Sequence, residues 1–161
     1  MIFSKATCYG VRALTYLASH SEPGLCGLQE IAEHEHIPPV YLRKVLGELR
    51  RHRMLHSVKG IHGGYELARP ADTITLWEVF RVLEPDPYVD ACILGCGQCD
   101  PESSCALHDD WQRVRRDLLN LLQTKTISEL AIPGSAGHPA GVADTQRRIQ
   151  ESERTHVRRE D

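Results

Sequence analysis

Apolar residues recur along this chain at helical spacing in five blocks, broken by proline and glycine and interrupted once by a strand-like stretch. The first block, Lys5 to His20, carries Val11, Leu14, Thr15, Leu17 and Ala18 and stops at the Pro23-Gly24 break. A short second helix from Gly27 to about Glu35 places Leu28, Ile31 and Ala32 on one side. His36-Ile37-Pro38-Pro39 then imposes a turn, because a residue before proline avoids helical torsions, while Pro39 suits the first turn of the next helix. That third helix buries Leu42, Val45, Leu46 and Leu49, the i, i+3, i+4, i+7 stripe. Met54 to Lys59 and Tyr65 to Ala68 read as two strands around the glycine-rich tip Gly60-Ile61-His62-Gly63-Gly64. Thr75 to Leu83 restores helical spacing through Leu76, Val79, Phe80 and Leu83, with Trp77 beside them. Ala106 to Gln123 predicts a long helix, about 27 Å at 1.5 Å per residue, with Leu107, Trp111, Val114, Leu118, Leu121 and Leu122 as one nearly continuous apolar stripe. From Pro133 onward glycine, proline, alanine and mixed charges show no sustained apolar pattern and predict a disordered tail.

Short helix, tight turn, basic helix and hairpin together predict a mainly α fold, a winged helix-turn-helix with a small β-hairpin wing. The pattern divides the chain into this unit over residues 1–84, a cysteine-rich loop over 85–105, a long C-terminal dimerisation helix and its end over 106–131, and the tail over 132–161. The net charge of -3 argues against nucleic acid only on average. Between Tyr41 and Arg69 seven basic residues face two acidic ones, a local +5 that leaves -8 for the remainder. A phosphate-binding surface needs this local basicity rather than a high overall pI. Arg43, Lys44 and Arg51 on the third helix are candidate duplex contacts, with Tyr41 as a supporting hydrogen-bonding group. On the wing, Lys59, His62, Gly63 and Gly64 are candidates for backbone or minor-groove contact, glycine allowing close approach. Charge alone is equally consistent with a solvated helix face, and the Gly-Gly pair with a tight turn; it is their adjacency that points to double-stranded DNA.

Four cysteines and a histidine, Cys92, Cys96, Cys99, Cys105 and His108, fall within seventeen residues. Thiolates and imidazole suit soft or borderline metals, and thiolates that hold iron in an iron–sulfur cluster lie open to oxidants. Cys96-x-x-Cys99 is also a spacing used by zinc or by a redox pair. Cys26 reads as a small buried apolar residue. No apolar run reaches the roughly 18 residues of a membrane span, and Lys5 and Arg12 interrupt any signal-like segment, so a reducing cytoplasm is expected. No nucleotide-binding glycine loop and no paired nucleophile and base occur, which argues against an enzyme and a small-molecule substrate.

The stretches Ser4-Lys5-Ala6-Thr7-Cys8-Tyr9-Gly10-Val11-Arg12-Ala13-Leu14, Pro39-Val40-Tyr41-Leu42-Arg43-Lys44-Val45-Leu46 and Gly60-Ile61-His62-Gly63-Gly64-Tyr65-Glu66-Leu67-Ala68 carry a resemblance, as does the Cys-x6-Cys-x5-Cys-x2-His spacing of Cys92, Cys99, Cys105 and His108. Over about Met1 to Ala131 the chain resembles the IscR/NsrR family of bacterial regulators. The resemblance implies a homodimer on a palindromic promoter, in which Cys92, Cys99 and Cys105 hold an iron–sulfur cluster, [2Fe-2S] or [4Fe-4S], whose state controls DNA affinity. It implies two placements for the fourth ligand: a histidine positioned as His108 is, or an acidic residue in the first helix of the partner subunit, where this chain has Cys8. Cys8, His108 and Cys96 therefore all stand as fourth-ligand candidates. The signal, whether nitric oxide, redox state or iron–sulfur supply, is left open, and repression by promoter occlusion is the default expectation. Two other classes remain: a zinc- or thiol-switched regulator without a cluster, and an iron–sulfur electron carrier or assembly-associated protein.

Overall fold

The computed structural model describes residues 3–20, 24–84, 92, 94 and 105–131. Cys96, Cys99, the Pro85 and Pro87 turn and the tail expected over 132–161 lie outside the described residues. The elements run α1 (Lys5–Ser19), α2 (Leu28–His34), α3 (Pro39–Arg51), β1 (Leu55–Val58), β2 (Gly64–Leu67), a 3-10 turn (Ala71–Thr73), α4 (Leu76–Leu83), α5 (His108–Thr124) and α6 (Ile127–Leu130). This is the mainly helical winged fold that the periodicity predicts, with boundaries moved by one or two residues because the flanking residues act as caps. Ser4 caps α1 by accepting from the Thr7 amide at 3.2 Å, and Thr75 and Glu78 form a reciprocal capping box on α4. Between α2 and α3, His36 takes φ +50°, a left-handed turn position that lets Ile37 drop into the core at 2% exposure.

Helix α1 is the hub, packing on α3, α4, α6 and β2. Leu14, Ile31, Leu42, Leu46, Leu49, Leu55, Ile74, Val79 and Ile127 are fully buried around it. Where α1, α3 and α4 converge the hub residue is Gly10, and a Cβ there would lie 2.2 Å from Leu83 Cδ1, 3.5 Å from Val45 Cγ1 and 3.7 Å from Leu49 Cδ1. Glycine is what permits three helices to meet this closely.

The two strands form one antiparallel hairpin, Leu55 opposite Leu67 and Val58 opposite Gly64. Its root is clamped by the α1–α2 connection: the Cys26 amide donates to Tyr65 O at 3.0 Å and the Tyr65 amide donates to Cys26 O at 2.9 Å.

The long C-terminal helix departs from the single stripe its periodicity suggests. Leu122 is buried against Phe80, with Leu118, Leu119, Trp77 and Phe3 packed around that pair, while Val114 and Leu121 stay 56% and 49% exposed. The chain then returns to the winged unit. The Leu76 amide donates to Lys125 O and the Ile127 amide to Ile74 O, both at 2.9 Å, so α6 is stitched to the 3-10 turn and α1. Helix α6 was not anticipated, although Thr126-x-x-Glu129 is a capping-box signature in plain sight. Because Ile127 has no exposure, Ile127→Ala is expected to cost about 2–5 kcal/mol, read as a lowered thermal midpoint. A wild-type midpoint would show that α6 is not part of this core.

Candidate nucleic-acid interface and cysteine site

The sequence-predicted recognition residues emerge on α3 opposite its buried stripe. Arg43, Lys44 and Arg51 are exposed, and Tyr41 is 40% exposed with its ring edge-on to Tyr9 at 5.5 Å. Arg43, Lys44 and Lys59 have no ion-pair partner among the described residues, so their charge is directed outward. Arg51 differs, pairing with Glu48 one turn earlier. The presentation of α3 depends on a polar clamp that sequence reasoning missed. Glu35, at 3% exposure, accepts from Arg12 Nε at 3.0 Å and bonds His34 Nδ1 at 3.0 Å, while Arg12 Nη2 donates to the Glu35 carbonyl. This fixes the end of α2 against α1. A buried carboxylate is tolerated only with such partners, and removing one would leave the other stranded.

At the wing, Lys59 and His62 are exposed beside Ile61, which is 99% exposed. The positive φ the tip requires falls on Gly60, at +121°. Gly63 and Gly64 have a different, internal reason to be glycine: a Cβ would lie 2.2 Å from Val58 O at Gly63 and 2.6 Å from Cys26 O at Gly64. The wing's shape is thus set by backbone contacts on two sides.

Cys8, Cys92 and Cys105 are half-buried, and Cys26 is buried. The His108 amide donates to Cys105 O at 3.1 Å, so those two candidates share the turn that opens α5. Cys99 lies outside the described residues, and among the described residues no three potential ligands converge. The donor chemistry nevertheless fits an iron–sulfur cluster, which takes thiolates with an occasional imidazole.

The cysteine-bearing segment follows Glu84 in the chain, a residue the sequence did not single out. Glu84 is 5% exposed, and its Oε1 accepts from the Ser4 amide at 2.8 Å and the Thr7 hydroxyl at 2.5 Å. An acid at the C-terminal cap of α4 opposes that helix's dipole, but here it faces the amide end of α1, where negative charge is favoured. That misfit with its own helix was the one available signal. Glu84, the last described residue before that segment, is therefore bonded to the turn that holds Cys8. Burial and the Glu84 carboxylate push the Cys8 thiol up, against a smaller lowering from Arg12. Burial and Glu30 likewise push the Cys26 thiol up.

A helix-turn-helix with an outward basic helix and an attached wing defines a DNA-binding transcriptional regulator. The chain belongs to the Rrf2 family, described as iron-dependent transcriptional regulators, which it matches over residues 3–132. It is 31% identical over 122 residues to the HTH-type transcriptional regulator IscR of Klebsiella pneumoniae, covering 76% of this chain and 74% of that one. Among solved structures it is similar to CymR, the global cysteine regulator of B. subtilis (TM-score 0.69, 26% identity, 80% of this chain and 95% of that one). It is also similar to T. potens IscR (TM-score 0.63, 28% identity, 79% of this chain and 83% of that one). Within the described residues no helix is long and apolar enough to cross a membrane.

Because Gly64 abuts the Cys26 backbone, Gly64→Ala is expected to push the wing off its root. Stability should fall by about 1–3 kcal/mol, and DNA affinity, measured well below the variant's melting temperature, by about tenfold. Wild-type affinity in a folded variant would show that the wing's seating is irrelevant to binding.

Proposed function

We propose that this regulator is a homodimeric repressor whose promoter affinity is set by an iron–sulfur cluster held by Cys92, Cys99 and Cys105. The fourth ligand is His108, Cys8 or Cys96. The observation that carries the reading is the buried Glu84 bridge, which starts the cysteine loop at the turn of α1 that bears Cys8. Bound there, a cluster would supply a thiolate-held tie that nitric oxide, oxidants or iron loss can undo. With the loop tied, the Glu84 end of α4 stays seated on α1, and Leu83 beside it covers Gly10 where α3 packs. Release of the loop loosens that seat and shifts the separation of the two recognition helices, which must match half-sites about one duplex turn apart. Tyr41, Arg43, Lys44 and Arg51 face the duplex from α3, and Lys59 and His62 from the wing, whose Gly63 and Gly64 serve the hairpin's own packing. Occupancy of a promoter by such a dimer blocks polymerase.

Dimerisation is supported by α5. Leu107, Val114 and Leu121, seven residues apart, are 45%, 56% and 49% exposed along one line of the helix, while Leu118 packs toward Phe80 and Leu122. Val114→Asp should therefore sediment as a monomer and bind a two-fold operator at least about tenfold more weakly. A dimeric variant would place the seam elsewhere.

Thiol switching without a cluster is the second reading, favoured by the structural likeness to a cysteine regulator. Against a switch at Cys26, burial and Glu30 push its thiol up, and the thiolate is the reactive form. Anaerobic purification followed by absorption and Mössbauer spectra, with iron and sulfide analysis, separates the two. Broad visible absorption with stoichiometric sulfide is expected, lost in Cys92→Ala and altered in whichever of Cys8→Ala, His108→Ala or Cys96→Ala removes the fourth ligand. Colourless, zinc-loaded or metal-free protein would leave the thiol or zinc regulator.

A further inference from the structure

Two residues on the outer face of α3 have no packing role among the described residues. Val40, in the first turn, is 75% exposed although apolar and β-branched. Gly47 sits in the helix interior, where glycine is less favourable than alanine, yet a Cβ built on it would meet no atom within 4 Å. Neither packing nor backbone conformation demands glycine here, since its φ is not among the positive values. Single exposed apolar residues are common and carry little meaning alone. These two, however, share a face with Arg43, Lys44 and Arg51 at spacings of three, four, seven and eleven from Val40, opposite the buried Leu42, Val45, Leu46 and Leu49. Arg43 and Lys44 have no ion-pair partner among the described residues, so the face matches a polyanion.

We propose that Val40 reads the methyl group of a thymine in the major groove, and that Gly47, about 10.5 Å further along the helix, is the point where the groove wall closes on α3. This rests on α3 being the recognition helix and adds to it a base preference and a depth of insertion. Residues at the start of a recognition helix are those that reach base edges, and a thymine methyl is the one apolar feature the major groove offers. Van der Waals contact between Val40 and that methyl buries both. At Gly47 even a methyl group would hold the helix away from the sugar–phosphate wall and lengthen the Arg43 and Lys44 contacts together.

The test uses the full chain, purified without oxygen, and a duplex selected from a random library with cluster-loaded and cluster-free protein. Each thymine of the selected site is replaced in turn by uracil, which lacks only the methyl. Wild type is expected to lose about fourfold in affinity at one symmetric pair of positions, the loss of one buried methyl, and Val40→Ala to bind the thymine and uracil duplexes alike. Uracil tolerated at every position, or a penalty that persists in Val40→Ala, would overturn the Val40 assignment. Gly47→Ala is expected to raise the melting temperature by a few degrees while weakening DNA binding about tenfold. A lowered melting temperature, or unchanged affinity, would overturn the role of Gly47. Enrichment of no duplex in either cluster state would instead sink the recognition-helix reading itself, and this inference with it.

Discussion

The geometry of this protein hangs on one buried carboxylate. Glu84 sits at the end of α4 with almost no solvent, where an unpaired charge would be costly. It is sustained by the Ser4 amide, the Thr7 hydroxyl and the amide end of α1. This one group therefore joins the end of α4, the beginning of α1 and the origin of the cysteine loop. Its chain neighbour Leu83 lies over Gly10, and the same glycine touches Val45 and Leu49 of α3. Packed contacts thus run from the loop's root to the helix proposed to enter DNA.

That continuity matters because close-packed interiors are bistable rather than continuously deformable. Gly10 lets α1, α3 and α4 pack closely, so under the proposed function a pull on Glu84 would be felt at α3. The second clamp, Glu35 with Arg12 and His34, holds α2 to α1. The wing has its own root at Cys26 and Tyr65, so hairpin and recognition helix are both referenced to segments flanking α2. Under the proposed function, tying one loop would set the position of the two elements proposed to contact DNA.

Much of the fold is legible in the chain because its signals are local. The Leu42, Val45, Leu46, Leu49 stripe, the Pro38-Pro39 turn and the alternation around Gly60 each specify an element from its own residues. The cysteine spacing and the basic stretch mark candidate sites by equally local signals. What escapes is whatever depends on distant partners. Glu84 looks like a surface acid until α1 is placed against it, 80 residues away in sequence. The six apolar residues of the α5 stripe cannot be divided between core and seam until Phe80 and Trp77 claim Leu118 and Leu122. Gly63 and Gly64 suggest an approach by DNA, whereas the Val58 and Cys26 backbones already require glycine there.

The most direct test of a loop-controlled recognition surface is the affinity of the dimer for one selected operator, measured anaerobically at fixed salt before and after the cluster is removed with a chelator. Fixed salt matters because phosphate contacts make affinity salt-dependent. The account predicts at least about a tenfold change in Kd, the effect of a coupling free energy within the usual 1–3 kcal/mol. Equal affinities in the two states, with cluster loss verified by absorption, would contradict it.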